Sequence, residues 1–482
     1  MPDTKANTRD HAVVIGGSIA GLCAARVLSD AYSHVTVYER DDLPSTPSNR
    51  ATVPQDRHLH MLMARGAMEF ESLFPGLLED MVAAGVPILE NRPDCIHLGA
   101  AGHVLGTAHT LRDEFTAYVP SRPHLEWQLR KRVQNTDNVT MVRRSVTEPR
   151  FDPARQRVTG VLVAPADDGG EPEFVAADLV VDAAGRGTRL PVWLEQWGYE
   201  RPREDLLDIG IYYATQQFRI PDGLIAEKVV VAGASHDNSL GLGMLCYEDG
   251  TWVLTTFGVA NVKPPQTFPE MLELAEELVP AHVNAALKQA DPLGEPAFHA
   301  FPASKWRRYD KLDRLPAGII PFGDAVASFN PTFGQGMTMT SLQAGHLRRA
   351  LQLPDDEVAA ALNRATAKST FPVWTMNAIG DVTFHHAGTK GPVPWWWRPT
   401  GALFDQFLGA AETDPVLAEW FLRRFSLLDS LYMVPPPRIV GRTIAHNLRL
   451  WLGERRQAAK DRRSVALASA AAPGDAGRQH QD

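Results

Sequence analysis

Cysteine is scarce, with three in 482 residues: Cys23, Cys95 and Cys246. They stand far apart without metal-ligand spacing, so they set out neither a zinc site nor a disulfide framework, and a reducing cytoplasm fits. No run of about 18 apolar residues occurs, so a membrane-spanning helix is not expected. The polar stretch from Met1 to His11 lacks the apolar centre of a secretory signal. Cations are outnumbered: the net charge is −9. That balance argues against nucleic acid as a partner, because phosphates need clustered lysine and arginine. What is present is ordinary for a globular chain, 44% hydrophobic and 22% charged, and long enough for two or three domains.

The order of elements is informative. His11 to Ile15 is a short β-branched run ending in Gly-Gly. Ile19 to Leu28 follows at helical spacing, and Val35 to Tyr38 is a second apolar run ending at Glu39. Strand, tight loop, helix and strand make a βαβ unit. Asp41 to His60 is polar and proline-rich and reads as a loop. Leu62 to Ala84 is helical with a break near Phe74-Pro75-Gly76, and His124 to Val133 is helical. Val139 to Val142 and Val158 to Val163 read as hairpin-like strands. Asp178 to Asp182 is a buried strand running into Ala183-Ala184-Gly185. From Ile209 to Val259 four alternating runs predict an antiparallel sheet suited to walling a cavity. Phe268 to Ala290 is helical, Gly318 to Phe322 a strand and Gly336 to Leu351 a helix. The chain onward to about Arg455 is mostly helical, and Gln457 to Asp482 reads as disordered.

Three segments carry chemistry. Gly16-Gly17-Ser18-Ile19-Ala20-Gly21 fits G-x-G-x-x-G with Ser18 at the second glycine. The first glycine permits the turn, the small second residue lets a pyrophosphate approach, and the third allows close helix–strand packing. A helix start there offers free N–H groups to phosphate. A plain βα turn is the other reading. Glu39, at the end of the second strand, suits ribose hydroxyls, or is an exposed strand-end charge; Arg40 covers adenine or phosphate, or is solvated. The second segment is Ser121-Arg122-Pro123. The third is Gly323-Asp324, followed by Pro331-Thr332-Phe333-Gly334-Gln335-Gly336.

With these motifs in this order, the chain resembles the FAD-dependent monooxygenases related to para-hydroxybenzoate hydroxylase. It resembles more closely a bacterial branch that includes the flavin epoxidases of polyether antibiotic pathways. The resemblance covers His11 to about Leu351 and, more loosely, the helical end. It implies an α/β fold. A Rossmann-like FAD-binding domain of the GR2 type (8–80, 100–190 and 300–352) would interleave with an antiparallel-sheet substrate domain (81–99 and 191–299). A helical region, 353–456, and a tail, 457–482, would follow. It also implies Asp324 at the ribityl chain. The backbone N–H groups of Gly336 and Met337, just past Gly334, would face the flavin pyrimidine, where a helix start favours negative charge. Arg122 matches a residue opening the helix that passes the cofactor, and Arg50 matches a branch motif near the isoalloxazine. Surface salt bridges are the plainer reading of both. His58 and His60 lack companions for a metal, so loop packing is expected. Ala183-Ala184-Gly185 departs from the relatives' Ala-Asp-Gly, with Asp182 displaced by two; Ala327 and Thr338 depart from a His and an Asn. Direct recognition of NAD(P)H and reduction by a partner flavin reductase both stay open.

The implied activity is that of a monooxygenase using O2 to epoxidise or hydroxylate an apolar small molecule: a polyketide, terpenoid or aromatic natural product. The family works through a flavin C4a-hydroperoxide. That chemistry belongs to the cofactor, so no catalytic side chain is assigned. Tyr213, Met244, Leu254 and Phe257 are candidate pocket residues, with a sheet core as the equal alternative. Trp395-Trp396-Trp397 and Met433-Val434-Pro435 could cap an apolar cavity, or simply pack. The basic amphipathic stretch from Ile439 to Arg456 could touch a membrane holding a lipophilic substrate, or simply pack as a helix; packing is the expectation, not membrane contact. A halogenase would need a lysine after the glycine-rich loop, and none stands between Lys5 and Lys131. The remaining alternatives are a flavin-dependent reductase or dehydrogenase of an isoprenoid or polyketide double bond, and a non-catalytic flavoprotein subunit. A cytoplasmic protein without metal or nucleic acid is expected.

Overall fold

The computed structural model describes residues 9–50, 52–92, 94–105, 110–112, 115–165, 170–384, 388–390 and 394–470. The first eight residues and the last part of the expected tail, 471–482, lie outside them. Five parallel strands form one sheet, in the order Ile319–Pro321, Leu179–Asp182, Arg9–Ile15, Tyr32–Glu39 and Val139–Arg143. Both faces are covered. Ala12 and Val14 pack among helices Ile19–Ser29, Ala64–Leu73, Arg122–Gln134 and Gly336–Ala350, while Val13 packs with Val158 and Val161 of a smaller sheet. That double burial is why these strands read as continuous apolar runs.

Val139–Arg143 and Arg157–Val163 are not a hairpin. The first joins the parallel sheet beside Tyr32–Glu39, and the second pairs antiparallel with Val146–Asp152. The helix Arg122–Gln134 returns the chain as a crossover, so the strand after it enters parallel.

The second large sheet has nine strands among the described residues. Glu204–Arg219 lies between Trp252–Gly258 and Asp291–Arg307, and Leu240–Cys246, Val229–Ala232 and Ile96–Ala100 continue beyond. Asp291–Arg307 escapes a pattern reading because it carries Pro292, Gly294, Pro296 and Pro302. Proline is tolerated there because most of the strand's outer edge has no strand partner, only Lys305 and Trp306 pairing outward. The Phe268 to Ala290 stretch is two helices, Phe268–Leu278 and Ala281–Leu287, parted at Pro280, which cannot donate to a continuing helix. Helix Pro437–Ala470 runs through much of the expected disordered tail. Alanines 458, 459, 466, 468 and 470 are strong helix formers that extend a helix already nucleated.

Candidate active site

The first strand ends at Gly16, whose φ of +103° suits glycine alone. Gly21 sits under the turn so closely that a Cβ on it would lie 1.8 Å from the Gly16 carbonyl oxygen. No side chain caps the helix Ile19–Ser29. The Ser18 hydroxyl donates instead to Glu126 Oε2 at 2.7 Å. The first-turn N–H groups are therefore left for an anion. Gly16, Ser18, Ile19 and Ala20 line a cavity of about 1510 Å³; Gly17 and Gly21 do not. Those two glycines shape the loop from behind, and Gly17 N–H donates to Glu39 Oε2 at 2.8 Å.

A buried ion network braces this loop. Arg50 reaches Glu126 at 2.8 Å, Asp41 at 2.6 Å and Glu39 at 3.1 Å. Burial opposes the Arg50 charge, but Glu126 and Glu39 outweigh it and push its pKa up. Arg122 bonds Asp56, Glu126 at 3.2 Å and the Ser18 hydroxyl at 3.0 Å. Burial pushes the Glu126 carboxyl up; Arg122 and Arg50 more than reverse this and hold it down. Arg50, Arg122 and Glu39 line the cavity, as does the exposed Arg40. Both buried guanidiniums thus spend much of their charge on protein carboxylates.

The opposite wall comes from the Gly323-Asp324 turn and the loop after it. Gly323 takes φ +63°, and its N–H donates to Gln343 at 2.7 Å. The Asp324 side chain lines the cavity and makes no hydrogen bond with a described residue. Burial pushes its carboxyl pKa up, with Arg186 and Arg122 opposing. Arg307 staples the turn from behind, donating to Ala325 O at 3.1 Å and Arg186 O at 2.7 Å. Helix Gly336–Ala350 also starts without a capping side chain, and Gly334, Gly336 and Met337 line the cavity. An FAD fits these residues. Two uncapped helix starts face one cavity, a carboxylate without a hydrogen-bond partner among the described residues stands at the turn between them, and Glu39 lines the same cavity. A Cβ at Gly336 would meet nothing within 4 Å.

The same cavity continues along the nine-stranded sheet. Tyr213 and Phe257 line it; Met244 and Leu254 do not. Met244 and Leu254 form a cross-strand pair in the core with Met271 and Ala275 of the flanking helix. Side chains alternate along a strand, so neighbours of cavity residues point to the other face. Sequence reading missed His299 and Asp381, which line the cavity too. His58 stands among them, its ring 5.9 Å from that of Tyr213 and 5.6 Å from that of His299. Its Nδ1 bonds Thr215 Oγ1 at 2.7 Å, while His58 Nε2, Tyr213 Oη and Asp381 Oδ2 are buried without a described partner. Burial lowers the His58 pKa to about 4, with His299 adding to the effect, and raises that of Asp381 to about 7 against an opposing hydrogen bond from Asn330. His60 Nδ1–H donates to the His58 carbonyl, 2.9 Å away. Among the described residues no group of histidine, cysteine and carboxylate side chains is arranged to hold a metal. Trp396, Met433 and Val434 line the cavity, whereas Trp397 is buried in the core and Trp395 is 85% exposed.

Comparison with known proteins places this geometry. A family described as the Mycobacterium Rv3254 C-terminal domain matches residues 391–457. Protein Rv3254 of Mycobacterium tuberculosis is 77% identical over 458 residues, spanning 94% of this chain and 96% of that protein. A kynurenine 3-monooxygenase of Salinispora arenicola is 24% identical over 377 residues, covering 73% of this chain and 74% of its own. The solved structure of the flavin-dependent brominase Bmp2 superposes with a TM-score of 0.59 at 14% identity, covering 92% of this chain and all of that one. The fold is that of the FAD-dependent monooxygenases and their flavin-dependent relatives. At 77% identity over nearly its whole length, the chain belongs to the Rv3254 family.

Proposed function

We propose that this protein is an FAD-dependent monooxygenase that hydroxylates or epoxidises an apolar small molecule. One observation carries the reading. The fitted dinucleotide loop, Asp324 and the helix start at Gly336 share one cavity with the apolar sheet face bearing Tyr213 and Phe257. Bound FAD supplies the activation of O2. The chain's own residues do the rest. The helix starts at Ile19 and Gly336 would receive the negative charge of bound FAD, and Asp324 would accept from its hydroxyls. Phe257, Trp396 and Phe421 line the walls and exclude water. Tyr213, its pKa pushed up by burial, stays protonated and donates from its unpartnered hydroxyl to an oxygen on the substrate. His58, neutral at pH 7, offers Nε2 to the same group. The preferred substrate on this reading is an apolar skeleton with one hydroxyl or carbonyl oxygen. Halogenation is disfavoured because, among the described residues, no lysine lines the cavity.

Electrons come from NAD(P)H or from a separate flavin reductase. Asp182 favours the second, since it is 1% exposed and bonded to Thr188 and to the Ala184 N–H, so it is turned away from any ligand. Anaerobic titration of the FAD-loaded protein with NADPH, followed by oxygen and a panel of phenols and alkenes, tests the reading. Oxygenated product with reduced flavin and O2 is expected. Product formed equally well without O2 would replace the reading with that of a reductase.

A further inference from the structure

Helix Pro437–Ala470 presents three distinct faces. Ile439 is 3% exposed in a core with Phe407 and Leu417. Asn447 donates to Gln406 O at 3.1 Å, and His446 bonds Thr413 at 3.0 Å. These residues mark the packed face. Val440, Ile444, Leu448, Trp451 and Leu452 are 41, 62, 53, 46 and 40% exposed. At about 100° per residue they fall within one arc of about 120°. Beside that arc lie Arg438, Arg442, Arg449, Arg456 and Lys460, within a further span of about 40° on the same geometry; Arg442 pairs with Asp414 at 2.5 Å, and Arg455 falls inside the arc with its guanidinium over the Trp451 ring at 3.9 Å. From residue 437 to 460 there are six cations and one anion, in a chain of net charge −9. A large apolar stripe left in water is costly, about 25 cal/mol for each Å², and the flank beside it carries charge of a single sign. No described helix is long and apolar enough to cross a membrane.

We infer that this helix lies on an anionic lipid surface, with its apolar stripe in the acyl boundary and Arg438, Arg449 and Arg456 among the headgroups. Charge complementarity selects lipid over a second copy, because two such faces would bring their own cations together. The segment just before the helix adds to the case. Tyr432, Met433 and Val434 line the large cavity, and Tyr432 and Val434 are 46 and 70% exposed. The cavity therefore reaches the surface just ahead of the lipid-facing helix, a route by which an apolar ligand enters from the bilayer.

Flotation of the full-length protein tests this, with vesicles of phosphatidylcholine alone or of phosphatidylcholine and phosphatidylglycerol in equal parts. Binding is expected only with the anionic vesicles and falls as salt rises. The double variant Ile444→Asp/Leu448→Asp lowers partitioning at least tenfold with an unchanged melting temperature. Arg449→Gln and Arg456→Gln each lower it about fivefold, at about 1 kcal/mol per cation; these milder variants carry the test should the double variant misfold. Quenching by brominated acyl chains is reduced in Trp451→Phe. Absent flotation, or flotation indifferent to all of these changes, overturns the inference. So does a dimer in ultracentrifugation that the double variant dissociates without any vesicle binding, since a second copy then covers the stripe. Bound flavin plays no part in these readouts.

Discussion

Replacing Gly21 by alanine tests the dinucleotide loop at its tightest point. The new Cβ would stand 1.8 Å from Gly16 O and 2.9 Å from Gly16 C. Ordinary contact begins near 3.4 Å, so the helix start must retreat by about 1.6 Å. Hydrogen bonds at about 2.9 Å do not survive half that displacement. Each N–H bond to a charged phosphate contributes about 1.5–3 kcal/mol. Losing two therefore weakens FAD binding by roughly two to four powers of ten. Overpacking costs the fold a further ~1–3 kcal/mol. The assay is flavin content after gel filtration, with affinity from fluorescence titration of the apoprotein. Gly336→Ala is the control, because its Cβ meets no protein atom within 4 Å. That variant keeps the wild-type melting temperature, so any flavin it loses reports a clash with the ligand itself. A Gly21→Ala protein with wild-type flavin content and melting temperature would refute the loop assignment.

Asp324→Ala removes a carboxylate without a described hydrogen-bond partner; the prediction is at least a tenfold loss of FAD affinity without destabilisation, and normal flavin content would count against the site. Tyr213→Phe deletes a buried, unpartnered hydroxyl, so thermal unfolding should show a protein equal or more stable by about 1 kcal/mol. Its KM for an oxygen-bearing substrate rises; an unchanged KM removes Tyr213 from substrate recognition. Asp381 carries a carboxyl raised from 3.8 to about 7 by burial. The native state then binds more protons than the unfolded state between those values, so this group's contribution is full at acid pH and is lost as pH rises through about 7. Asp381→Asn should accordingly gain stability over wild type above pH 7 and little near pH 4, measured by urea unfolding, and equal differences at both pH values would reject the shift.

The parallel sheet was legible because its strands are buried on both faces and read as short apolar runs beside turn signals. Arg9–Ile15, Tyr32–Glu39 and Leu179–Asp182 are each found within a few residues of where the pattern puts them. The two helix starts were legible for a different reason. Glycine at a tight turn leaves a spacing that few other structures require. Pocket residues were not legible individually. Tyr213 and Phe257 face the cavity while Met244 and Leu254 face the helices, and a one-residue change of register separates the two outcomes. His299 and Asp381 had no local signal at all, the first on a proline-broken edge strand and the second at the end of a 27-residue helix.

The arginines teach the more general point. Read singly, Arg50 and Arg122 are cations available to a phosphate or a flavin. Folded, both pair with Glu126, Arg50 also with Asp41 and Arg122 with Asp56, and their side chains are only 5 and 8% exposed. Removing Glu126 would leave two buried cations short of a partner, an uncompensated charge worth about 3–5 kcal/mol. Their work is therefore to fix Ser18 and the turn around it, through Arg122 Nη2 and Glu126 Oε2 on one hydroxyl. On the proposed function, negative charge on a bound dinucleotide would be left to the backbone N–H groups of two helix starts. Those groups cannot be deprotonated or rotated away, which suits a cofactor held through many turnovers better than mobile side-chain cations would.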